Sequence, residues 1–158
     1  MSQVSFRIEN VERLKDAFKR APALVAQYIW DMSAEMAFFL EAESKDRAPT
    51  DVGRLKGSIS TSLGVGVGGL GAIVKTGTNY AAAVHEGSKP HWTSIRNLED
   101  WSRRKGINPY IVQLAIAKHG TKPQPFMKEA VEENGSGLQR IADRKIQDAV
   151  DAVARSTM

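Results

Sequence analysis

Residues 47–59 read Arg47-Ala48-Pro49-Thr50-Asp51-Val52-Gly53-Arg54-Leu55-Lys56-Gly57-Ser58-Ile59, and this corner decides the fold. Pro49 ends any helix arriving from the N-terminal side, because its ring bars Ala48 from the helical region. Asp51 and Gly53 turn the chain, Gly53 by supplying a backbone angle that other residues resist. Leu55 and Ile59 are its apolar positions and point to a core. From Ser58 onward the pattern alternates, with Ile59, Thr61, Leu63, Val65 and Val67 on one face and Ser58, Ser60, Ser62, Gly64 and Gly66 on the other. That is a strand with one apolar face and one small, polar face. Gly68-Gly69 suits the two-residue turn of a tight hairpin, and residues 70–77, carrying Ile73 and Val74, return as a second strand. The bare Gly64 and Gly66 leave room for a close backbone approach.

Working back from the corner, the spacing predicts a long helix from about Ala23 to Asp46. Val25, Tyr28, Ile29, Met32, Met36, Phe39 and Leu40 make one apolar stripe, while Trp30, Ala34, Ala37 and Phe38 fall off it. A surface helix carries charge there, so two apolar faces imply two packing partners. One is the chain's own sheet; the other is a covering helix of the same chain or a neighbouring subunit. Pro22 opens this helix and closes a shorter one, Val11 to about Lys19, with Val11, Leu14 and Phe18 inward and Asn10 as its cap. Before that, Val4, Phe6 and Ile8 alternate with Ser5 and Arg7 as a short strand.

Working forward, residues 79–86 form a short helical or extended segment and Lys89-Pro90-His91 a loop. Thr93 or Ser94 is placed to cap a helix carrying Ile95, Leu98 and Trp101 and ending near Gly106. Asn108 and Pro109 open another, with Ile111, Val112, Ala115 and Ile116, which stops at Gly120. Residues 122–125 are extended, Pro125 starts a brief helix to Glu132, and Asn134-Gly135-Ser136-Gly137 breaks it. The last helix spans about Leu138 to Ala154, with Leu138, Ile141, Ala142, Ile146, Ala149, Val150 and Val153 inward and Arg140, Asp143, Arg144, Gln147, Asp148 and Asp151 outward. The fold class expected is α+β: a small, mostly antiparallel sheet with a glycine-rich hairpin, packed against long N- and C-terminal helices.

The chain of 158 residues suits one domain and is long enough to bury a core. It has no cysteine, hence no disulfide framework, thiolate metal site or thiol nucleophile. No run is apolar enough to span a bilayer, and the start lacks a signal-peptide layout, so a soluble protein made in the cytosol and making no membrane contact is expected. The net charge of +4 is spread along the chain, and Arg103-Arg104-Lys105 reads as a helix end, not as a nucleic-acid stripe.

Little points to catalysis. His85, His91 and His119 lack the spacing that sets two ligands on one helical face, and the pair His85-Glu86 beside His91 is an undistinguished metal candidate. Ser58, Ser60 and Ser62 share a strand face with no nucleophile elbow. Glu35, Glu41 and Glu43 share a helix without forming a catalytic pair. Gly64-Val65-Gly66-Val67-Gly68-Gly69 satisfies GxGxxG, yet a strand follows where a dinucleotide site needs a helix N-terminus. No cofactor and no enzyme activity are expected.

The positive signal is a resemblance. Residues 48–59, Ala-Pro-Thr-Asp-Val-Gly-Arg-Leu-Lys-Gly-Ser-Ile, resemble the APVDTGRLRxSI signature of the tailed-bacteriophage neck and tail-component family. Tyr80-Ala81-Ala82-Ala83-Val84-His85-Glu86-Gly87-Ser88 is similar to its YAxxVExGT segment, and residues 120–130, including Pro125 and Phe126, to its GTxPxPFlxpA segment. The chain departs from the pattern at Thr50, Val52, His85 and Ser88, and residues 92–119 are an insertion found in only some members. The resemblance implies a structural virion protein at the head–tail junction, with copies in a hexameric or dodecameric ring around a passage for DNA. Its partners would be itself and adjoining head-completion, connector, tail-terminator or tail-tube proteins. A tail terminator is the nearest alternative, and a small basic nucleic-acid-binding protein the alternative of another class. Within the motifs, Pro49, Asp51, Gly53, Arg54, Leu55, Ser58, Tyr80, Glu86, Gly87, Pro125 and Phe126 are the candidate residues, with Arg54 placed to form a forked contact with Glu86 or a neighbour's acid. Phe126 fills an apolar pocket. Trp30, Phe38 and the glycine-rich hairpin are the candidate intersubunit patches.

Overall fold

The computed structural model describes residues 11–66 and 69–156. Its axis is α2 (Pro22–Arg47). Pro22 sits in the first turn, where a missing N–H leaves no bond unmade. The helix ends at Ala48, whose extended backbone is what a following proline requires and whose N–H donates to Ser44 O.

Both faces of α2 are covered by the chain itself. On one side lie α1 (Val11–Arg20) and α8 (Gly135–Ser156), where Ala17, Val25 and Val153 form a buried cluster. Glu35 ties α2 to α8 through ion pairs to Arg144 and Lys145. On the other side lie the hairpin β1 (Ile59–Gly66) and β2 (Gly69–Thr76), and α7 (Phe126–Glu133). The protein is α+β, with a single two-stranded antiparallel sheet among the described residues. The covering helix comes from the same chain, so α2's second apolar face needs no neighbouring subunit.

Ile59 is buried and Thr61 faces α2, its hydroxyl donating to Ala37 O at 3.3 Å, whereas Leu63, on the same strand face nearer the hairpin's end, is exposed. Their cross-strand partners Thr76, Val74 and Ala72 share that face. Ser60, Ile73 and Lys75 are exposed on the opposite face. The turn is not Gly68-Gly69. Gly69 pairs with Gly66, so the connection is residues 67–68, which lie outside the described residues. A slip of two positions leaves every side chain on its own face, so alternation alone does not select this register.

Four other expectations are corrected. Phe18 is exposed and the smaller Ala17 takes the inner position, because α1 lies close to both α2 and α8. Ser58 ends a short helix, α3 (Arg54–Ser58), and its hydroxyl donates to Leu55 O; the strand begins at Ile59. Neither Thr93 nor Ser94 caps α5 (Arg96–Lys105) with its side chain. Residues 135–137 do not break the chain: Asn134 alone separates α7 from α8, which starts at Gly135. A Cβ at Gly137 would stand 3.0 Å from the Phe39 ring, so the glycine lets α8 approach α2 closely. The expected Val4–Ile8 strand and the Asn10 cap fall outside the described residues.

Two short helices complete the chain, α4 (Ala81–Glu86) and α6 (Pro109–His119). Asn108 caps α6 by accepting from Tyr110 N–H at 2.9 Å, with Pro109 in the first turn.

Candidate functional site

The three motif segments, far apart in sequence, meet in one core. Ala48, Leu55, Ile59, Ala81 and Phe126 form a single buried cluster, with Val74, Val84 and Met127 packed on it. Gly53 takes φ 78°, the left-handed backbone on which α3 starts. Gln124 N–H donates to Val84 O at 2.9 Å, holding the third segment on the second. Pro125 then delivers Phe126 into the cluster, where it is 1% exposed. The His85 ring meets Phe126 edge-on at 5.2 Å. Leu55 and Phe126 are therefore core residues.

A second junction closes the insertion at its base. Ser88 and Thr121 form an isolated antiparallel bridge: each N–H donates to the other's carbonyl, at 3.2 and 3.0 Å, and their hydroxyls stand 3.0 Å apart. Glycines on either strand permit it. Gly87 has φ 74° and ψ −179°, and a Cβ there would sit 2.5 Å from Thr121 O. Gly120 has φ 72° and ψ −156°, and its Cβ would sit 1.9 Å from Ser88 O. Both occupy a region that is essentially glycine's alone. Between these glycines α5 and α6 lie against each other, joined to the corner by Arg104, whose Nε donates to Asp51 Oδ1 at 3.0 Å. Arg104 holds the Asp51 carboxyl below the usual carboxylate range, and Asp51 raises the Arg104 guanidinium in turn.

No protein-family model, curated protein or solved structure matches this chain.

The remaining candidates are dispersed. Arg54 is exposed and has no ion-pair partner among the described residues, so it does not fork onto Glu86, itself exposed. Tyr80 is exposed and Pro49 half-buried. Arg103 pairs with Asp100 and Arg104 with Asp51, so two of the three clustered cations are matched by acids of their own chain. His91 Nδ1 lies 2.9 Å from Lys89 O and His119 is exposed. No group of three metal-ligating side chains occurs among the described residues. Gly64 and Gly66 stand opposite Gly71 and Gly69 within the hairpin ladder, so the GxGxxG run opens no helix. No described helix is long and apolar enough to cross a membrane.

Of the expected patches, Phe38 is exposed but Trp30 is half-buried. Two larger features went unanticipated. Tyr110, Ile111 and Leu114 are exposed along α6, with Ile111 and Ala115 facing solvent where packing was expected. An open groove of about 500 Å³ also runs between α2, β2 and α7. The α6 sequence carried a signal, since apolar residues occur on nearly every side of it. The groove had none, because its walls come from three separated segments.

Proposed function

We propose that this protein is a structural subunit of a tailed-bacteriophage particle, placed at the head–tail junction or the head-proximal end of the tail. Copies would form a closed ring that joins head to tail around a passage for DNA. One observation carries this reading: the three segments resembling the neck and tail-component family are the ones that converge on the Leu55–Phe126 core and the Gly87–Gly120 junction. The residues that carry the resemblance are those that build the module, as a shared fold requires. Arg54, Glu86 and Tyr80, motif members outside that core, are exposed and free to meet adjacent copies or neck proteins.

A closed ring of identical subunits uses heterologous contacts, in which one patch meets a different patch next door. The exposed apolar surfaces at Phe38 and on α6 suit such contacts. The test is genetic. Removing the coding sequence from a phage genome that carries it should leave filled heads and free tails that fail to join. Normal infectious particles would refute the reading, and tails of uncontrolled length would point to a tail terminator instead.

A further inference from the structure

Among the described residues, a ridge and a groove are left uncovered by the rest of the subunit. On α6, the Gln113 side chain turns inward and donates to Thr93 O at 2.7 Å, and Ile116 O accepts from His91 N–H. The other side of the helix presents Tyr110 (61% exposed), Ile111 (63%) and Leu114 (59%). The i, i+1, i+4 spacing sets them along one ridge. The groove between α2, β2 and α7 is walled by Met36, Leu40, Ala72, Val74, Met127 and Val131, with no charged side chain among its lining residues.

We propose that the α6 ridge of one subunit docks into the α2–β2–α7 groove of the next copy. This deepens the ring reading above and rests on it. Three observations select a second copy of this chain. The groove offers no charge to a nucleic acid or a charged peptide, so its occupant is apolar, as the ridge is. The insertion is held by the Ser88–Thr121 bridge and the Arg104–Asp51 pair, and none of its residues lines the groove of its own subunit. A convex ridge and a concave groove on one chain are complementary to each other and not to themselves, the relation that generates rings. The ridge exposes on the order of 400 Å² including Ile107, about half of one side of a standard interface. A single joint is therefore weak, and closure of the ring, where each subunit makes two, stabilises the whole.

The chain lacks cysteine, which makes disulfide trapping clean. Leu114→Cys and Ala72→Cys proteins, prepared separately and oxidised after mixing, should give a linked heterodimer found in neither sample alone. The Ile111→Asp/Leu114→Asp variant should keep its helical circular dichroism and melting temperature while losing the oligomer in sedimentation. Wild-type protein that never self-associates at any concentration would refute the ring reading and this docking with it. Rings that survive the double aspartate variant would overturn the docking alone. So would a Leu114→Cys homodimer, or trapping of Ala72→Cys by Phe6→Cys in place of Leu114→Cys.

Discussion

Gly120→Ala tests the junction at the base of the insertion. The backbone at φ 72°, ψ −156° costs a non-glycine residue about 1–3 kcal/mol. The new Cβ would also fall 1.9 Å from Ser88 O and 2.9 Å from the Lys89 carbonyl carbon, both backbone atoms that no rotamer change can move. Relief requires the Ser88–Thr121 bridge to open, forfeiting two hydrogen bonds worth about 0.5–1.5 kcal/mol each. Together these predict a local loss of about 2–6 kcal/mol. Gly106→Ala is the matched control: its left-handed φ of 66° costs about 1–2 kcal/mol, and nothing lies within 4 Å of the added carbon. Amide hydrogen exchange at Ser88 and Thr121 reads the difference. Gly120→Ala should lower protection there by about 30-fold or more relative to Gly106→Ala, since 1.4 kcal/mol is a factor of ten. If the junction opens together with the body, the melting temperature should also fall, by about 2–4 °C per kcal/mol. Unchanged protection and equal melting of the two variants would refute the close-approach account.

Phe126→Ala should cost about 3–5 kcal/mol in denaturant unfolding, because the ring is buried where all three motif segments meet; a loss below about 2 kcal/mol would show that the site collapses around the smaller side chain. The Asp51–Arg104 pair should fail in acid. Arg104 lowers the Asp51 pKa in the folded form, so the contribution is full above the ordinary aspartate value of about 3.9 and is lost as pH falls through the lowered one. Exchange in residues 96–119 should accelerate over that interval in the native protein and not in Asp51→Asn, and equal pH profiles would count against the link. Glu41 is held low chiefly by Lys45, whose ammonium donates to it at 2.5 Å, with Thr61 contributing. In an NMR titration Lys45→Met should move Glu41 back toward the usual glutamate range, and an unmoved midpoint would assign the shift to Thr61.

The local rules legible in single segments held where one segment suffices. Pro22 and Pro49 delimit α2, Asn108 and Pro109 open α6, and the alternation after Ser58 makes a strand that turns Ile59 and Thr61 inward. Each depends on a proline ring, a capping carbonyl or the pleat of a strand, all within a few residues. Helix–helix distance is not of that kind. Phe18 looked inward by spacing, yet Ala17 fits between α1, α2 and α8; residues 135–137 looked like a break, yet Gly137 is the clearance for Phe39.

The α+β class, the two long helices, the hairpin and the core positions Leu55, Ile59 and Phe126 were legible in the chain alone, because turns, caps and apolar periodicity act locally. The hairpin register, the partner covering α2, the Gly87–Gly120 junction and the exposed ridge and groove emerged only once the chain was folded. The reason is that each of these turns on the distance between surfaces brought together across the chain, such as Ser88 and Thr121, thirty-three positions apart. Periodicity records which side of an element is apolar, and folding alone selects which of those sides find a partner.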